Sequence, residues 1–213
     1  MMARRWLWIG LLTALPLVSG CPMSRWLAYV ALGGKEKKVQ AEFAELSGKS
    51  VVVVVYVDKG VQYEYPNVCL TVSAMVAEEL RKHVEPSQII DPRRVVKYQD
   101  ANIYWDEMDK TALGKHFGAD YVLLLALVEF NTREPGSMNL YRGRITAEPS
   151  VYKVSLPERQ ARVWRGETIR VVYPEHDPAG QLRENDRAIR VKTEHLFADR
   201  LVKKFYDHKV PIE

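Results

Sequence analysis

Cysteine is scarce, with two residues in a chain of 213. That excludes a multi-bridge secreted mini-protein and a four-cysteine zinc site. A strong excess of one charge is also missing. Lys and Arg number 31 against 27 Asp and Glu, a formal charge of +4. So small an excess gives no nucleic-acid signature, and no nucleic-acid partner is expected. The five histidines (His83, His116, His176, His195 and His208) never fall at a metalloprotease spacing. No serine stands in a Gly-x-Ser-x-Gly context, and no Walker or dinucleotide loop occurs. No repeat or low-complexity tract is seen. The expectation is a chain that is not an enzyme and holds no metal or cofactor. What is present is 47% hydrophobic residues, enough for one globular domain plus a small appendage.

The appendage is N-terminal. Arg4 and Arg5 precede an uncharged apolar run, and Val18-Ser19-Gly20-Cys21 closes it. A positive start, an apolar middle and small residues at the end make a bacterial secretory signal. The final four residues resemble the bacterial lipobox. That resemblance implies a covalent lipid on Cys21 and cleavage just before it. Residues 6–24 carry no charge and approach membrane-spanning length, but Pro16, Gly20 and Pro22 break a continuous helix there. The expected organisation is a signal peptide over 1–20, a lipidated tether over 21–48 and one α/β domain over 49–213. Within the tether, residues 26–32 are apolar and suit either a membrane interface or a return onto the domain.

Val51 to Val55 is an unbroken valine run, as in a parallel strand buried on both faces. Residues 61–65 read as a loop, and 67–84 as a helix with Cys69 on its core face. Ile89-Ile90 and Val95-Val96 read as short extended pieces. A second helix is expected over 106–117, with Asp106 as N-cap and Gly118 as stop. Residues 121–130 form a second buried strand. Two long extended stretches, 140–154 and 159–173, suggest an antiparallel hairpin, with a bulge or edge at Pro149. A last helix spans 184–208, with Val191, Ala198, Leu201, Val202 and Phe205 on one face. The fold class is α/β. A β-α-β-α-β parallel core is extended by the hairpin, and the C-terminal helix lies on the sheet.

Several stretches carry a resemblance. They are Lys49 to Val55, Phe117-Gly118-Ala119-Asp120-Tyr121-Val122-Leu123, Tyr152-Lys153-Val154, and Ala161-Arg162-Val163-Trp164. Together they resemble a domain in the N-terminal part of the Tol translocation protein. They are also similar to the penicillin-binding-protein activator lipoproteins and the curli secretion lipoprotein. Residues 39–49 are similar to the lead-in of uncharacterised planctomycete-type envelope lipoproteins. No β-propeller follows the domain, unlike a full Tol component, and no long amphipathic pore-forming hairpin is evident.

Tyr63, Tyr65, Tyr104 and Trp105 are candidates for an aromatic partner surface, because such side chains offer apolar area with a polar tip. Arg142, Arg144, Arg162, Arg165 and Arg170 mark the hairpin as a possible anion-facing strand set. Glu175-His176-Asp177 is the densest ligand-like triplet, yet adjacent side chains diverge too far to serve one metal. The expected function is that of a membrane-anchored envelope lipoprotein, an adaptor that binds an envelope protein. The alternative is an oligomeric accessory subunit of an export or transport system.

Overall fold

A computed structural model describes residues 36–137, 139–175 and 185–211. Cys21, the signal segment and two members of the loop triplet, His176 and Asp177, lie outside the described residues. The strands are β1 (Glu36–Val39), β2 (Ser50–Tyr56), β3 (Gln88–Ile89), β4 (Tyr121–Arg133), β5 (Tyr141–Lys153), β6 (Arg162–Arg165), β7 (Ile169–Tyr173) and β8 (His208–Pro211). The helices are α1 (Lys59–Glu64), α2 (Val68–His83), α3 (Pro92–Ala101), α4 (Lys110–Phe117), α5 (Glu158–Ala161) and α6 (Asp186–Val202). The described residues divide into two compact units, a main one within 40–208 and a small one of 36–39 with 209–211. In the ends, β1 pairs with β8 as a two-stranded ribbon, and Lys209 meets Glu36 at 2.9 Å.

The main unit is a mixed sheet in the order β3-β2-β4-β5, with β6 and β7 both on the outer edge of β5. β2 runs parallel to β3 and β4, and β5 is antiparallel to β4, β6 and β7. The valine run explains the layering. Val51, Val53 and Val55 enter the core shared with α2 and α6, while Val52 and Val54 enter the core under α3 and α4. All five are buried, which stabilises the fold by about 1.5–3 kcal/mol per side chain. β4 alternates likewise, with Tyr121, Leu123, Leu125 and Leu127 on the α2/α6 side. An irregularity between Leu127 and Glu129 then inserts Val128, which is exposed. One extra residue flips the alternation, so Phe130 regains the core.

Several boundaries move. The main unit starts at Gln40, so part of the expected tether is core: Phe43 and Leu46 are buried. Residues 59–64 are helical rather than looped, because the Asp58 carboxylate accepts from the amides of Gly60 and Val61. Val95 and Val96 lie in α3, not a strand. Asp91 caps that helix and Pro92 supplies its first turn, and these signals outweigh the β preference of two valines. Asp109, not Asp106, caps α4, with its carboxylate accepting from the Thr111 amide at 2.9 Å. Gly118 ends α4 with φ of 67°, a left-handed conformation that glycine adopts without strain.

The second arm of the expected hairpin is split into β6 and β7. Gly166 sits at the break and donates its amide to the Pro149 carbonyl at 3.0 Å. Amide and carbonyl of one strand residue point to the same side, so Pro149 lacks its N–H where the neighbouring strand is interrupted. The last helix ends at Val202 and passes into a 3-10 turn, Lys203–Phe205. Val191 faces solvent there rather than the core. Glycine at 143 lets β5 approach α6, since a β-carbon would overlap the Thr193 side chain.

Candidate functional site

The order β3-β2-β4 places two crossover connections on opposite sides of β2. In open α/β sheets, the crevice at the carboxyl ends of such strands is where ligands bind. A cleft of about 390 Å³ occupies that position here. Its floor is the end of β2 at Val55, Tyr56 and Val57. One wall is α1 with the start of α2, giving Lys59, Gln62, Asn67 and Cys69. The other is the end of α3 and the turn after it, giving Gln99, Asp100, Ile103 and Trp105. A smaller hollow of about 210 Å³ shares Tyr56, Trp105 and Asp106 with it and is closed by Lys110, Leu124 and Ala126.

The wall after α3 has no regular structure but is tied down. Asn102 donates from its side chain to the Tyr98 carbonyl at 2.8 Å, and the Trp105 amide donates to the Asn102 carbonyl at 3.0 Å. Trp105 is half-buried against the α3/α4 core and meets Tyr56 edge-on, with ring centroids 6.1 Å apart. Lys110 donates to the Met108 carbonyl at 2.7 Å, and burial pulls its ammonium below the usual lysine range. Buried Gln99 donates to the Val55 carbonyl at 2.9 Å, covering an edge acceptor of β2 where β3 has already ended. Burial, with the nearby Asp100 charge, pushes the Cys69 thiol up to about 11. Cys69 is half-buried and packed against the core. Such a thiol is not an activated nucleophile.

The lining mixes polar and apolar side chains, and the elements that form the walls also carry large exposed side chains. Tyr63 is 90% exposed, Ile103 77% and Tyr104 72%. Among the aromatic candidates from the sequence, Tyr63, Tyr104 and Trp105 sit on elements that form the cleft. Tyr65 does not join them. It is buried, its ring meets Phe130 at 4.8 Å, and its hydroxyl accepts from the Thr132 amide at 3.3 Å. Tyr65 is thus a brace between the end of α1 and β4. The sequence reading missed Tyr56, Ile103 and Gln99. Ile103 directly precedes Tyr104 and Trp105, and that adjacency was its local signal.

Three of the five hairpin arginines meet nearby carboxylates. Arg142 and Arg144 converge on Glu134, and Arg165 meets Glu148 at 3.3 Å. Among the described residues, no group of three or more His, Cys, Asp or Glu side chains is arranged to hold a metal ion. No helix among them is long and apolar enough to cross a membrane.

No family model matches the chain, and no curated protein matches it. Solved structures do. A point variant of the PelC dodecamer from Paraburkholderia phytofirmans aligns with a TM-score of 0.50 and 13% identity, covering 80% of this chain and 97% of that one. The parent PelC dodecamer, in another crystal form, gives a TM-score of 0.48 and 14% identity over 81% of this chain and 99% of that one. Lipoprotein GNA1162 from Neisseria meningitidis gives 0.45 and 15% identity over 73% of this chain and 96% of that one. These are likenesses of fold. They do not show membership of the Tol, penicillin-binding-protein activator or curli groups.

Proposed function

We propose that this chain is a lipid-anchored protein of the cell envelope whose domain works without catalysis, by binding an envelope protein at the β2 cleft. The observation that carries this reading is the rim. Ile103 and Tyr104 are exposed next to a half-buried Trp105 on a turn held in place by its own hydrogen bonds, and Tyr63 is exposed on α1, the other wall. Large apolar side chains kept in water around a preformed crevice are the anatomy of an anchor site for a partner. Lipid attachment at Cys21 would supply the membrane link, since two or three acyl chains hold a protein stably where one is marginal.

Two measurements test it. Intact mass of the purified mature chain should correspond to a start at Cys21 with added acyl groups; an uncleaved, unmodified start rejects the anchor. In-membrane cross-linking followed by pull-down should capture a defined envelope protein with the wild type. That protein should be lost with the double variant Ile103→Ser, Tyr104→Ser, whose melting temperature stays unchanged. Equal capture by both rejects the cleft.

A second reading is an oligomeric accessory subunit of an export or transport system. It is favoured by the dodecameric state of the PelC protein whose fold is similar. Sedimentation in detergent separates the two, a single many-subunit species supporting the second reading and a monomer the first.

A further inference from the structure

At the other end of the parallel strands lies a second hollow of about 420 Å³. It is built where β2 and β4 begin and where β5 and α4 end. Lys49, Lys115 and Lys153 all line it, with Asp120 and Ser155. Three lysines share one hollow with two nearby carboxylates, Asp120 and Glu45, so the local balance keeps an excess of one positive charge. Asp120 accepts both the amide and the hydroxyl of Ser50, each at 2.8 Å. Glu45 accepts from the Tyr121 hydroxyl at 2.7 Å and sits 3.5 Å from the Lys153 ammonium. Lys49 and Lys115 make no ion pair with any described residue.

The Lys115 position is favoured independently. It lies in the last turn of α4, where the helix dipole stabilises a cation. Lys49 is held at the mouth by the lead-in, because its amide donates to the Leu46 carbonyl at 3.2 Å and Leu46 is buried. Lys153 is fixed by the Glu45 contact and by lying 5.7 Å from the centroid of the Tyr121 ring. These are compact, rotatable donors on pinned backbones, which suits a phosphate oxyanion better than a planar carboxylate pair.

We propose that the Lys49–Lys115–Lys153 hollow is a binding site for a phosphate group. A lipid headgroup and a soluble phosphate ester share that chemistry. The site is separate from the β2 cleft, so its failure would leave the partner-binding reading standing, and the reverse also holds.

The test uses the full mature chain in neutral detergent, followed by thermal melting. One arm adds inorganic phosphate, with chloride at matched ionic strength as the control for screening. The other dopes the micelles with phosphatidylglycerol against a neutral, phosphate-free diacylglycerol glycolipid. The expected result is a rise of about 2–4 °C at saturation in at least one arm, absent with chloride or the glycolipid. The double variant Lys49→Gln, Lys115→Gln should weaken the apparent affinity at least tenfold, and the double Arg variant should retain it. A response to phosphatidylglycerol alone assigns the site to a headgroup. A response to inorganic phosphate assigns it to phosphate in general. No response in either arm, or an undiminished response in the Gln variant, overturns the proposal.

Discussion

The Thr71 hydroxyl donates a 2.6 Å hydrogen bond to a carboxylate oxygen of Glu194, linking α2 to α6 across the interface that covers one face of the sheet. Glu194 is buried, and burial raises its carboxyl above the ordinary value of 4.5 despite that bond and the Arg190 charge. A raised acid favours the folded state when protonated. Its contribution is therefore complete below the ordinary carboxylate range and is lost as pH rises through the raised value. Glu194→Gln keeps an acceptor for Thr71 and removes the charge. Its melting temperature relative to wild type should climb by about 2–4 °C between pH 4 and pH 8. A difference that stays flat or falls over that range contradicts the assignment.

Asp120 has the opposite sign. Hydrogen bonds from the Ser50 amide and hydroxyl, with the Lys49 charge, outweigh its small burial and hold its carboxyl below the usual range. The stability it confers is present at neutral pH and is lost as pH falls through that lowered value. Ser50 also accepts from the Asp120 amide at 2.9 Å, so each residue caps the start of the other's strand. Ser50→Ala should lower stability at pH 7 by about 1–2 kcal/mol and flatten the acid limb of urea unfolding measured from pH 2 to 6. An unchanged acid limb would show that the pair does not govern it.

At Gly143 there is no room for a methyl group against Thr193. Gly143→Ala should cost about 1–3 kcal/mol, because β5 or α6 must shift to admit it. The double variant with Thr193→Ala, which removes the hydroxyl oxygen nearest the added β-carbon together with the methyl, should recover part of that loss. Circular dichroism melts of the three proteins would read it, and no recovery would place the strain elsewhere.

With its thiol at about 11, Cys69 is about one part in a thousand thiolate at pH 8. Iodoacetamide should therefore label it slowly in the folded protein and rapidly in urea. Rapid labelling of the folded chain would mean that the cleft wall opens.

Elements that declare themselves locally were legible in the sequence. Val51 to Val55 could only be a strand covered on both faces, and Gly118 stopped α4 where expected. The errors arise where two local signals compete or where a distant residue decides. Val95-Val96 favours a strand by its branching, yet the Asp91-Pro92 pair before it is a helix start and prevails. Tyr65 shares its sequence surroundings with Tyr63, but α1 turns one outward and the other onto Phe130 and Thr132, sixty-five residues or more away. No pattern near Tyr65 could announce that. The cleft depends on the strand order β3-β2-β4, which periodicity alone does not determine.

The break at Gly166 and Pro149 also governs what the domain refuses. The outer edge of the sheet offers a neighbour only four residues of β6 and then five of β7, out of step across the gap. An extended segment seeking to add itself to that border meets no continuous ladder. A long smooth border would let colliding copies of the chain zip together. The fracture leaves association to the shaped, side-chain-bearing regions of the molecule and withholds it from the bare backbone.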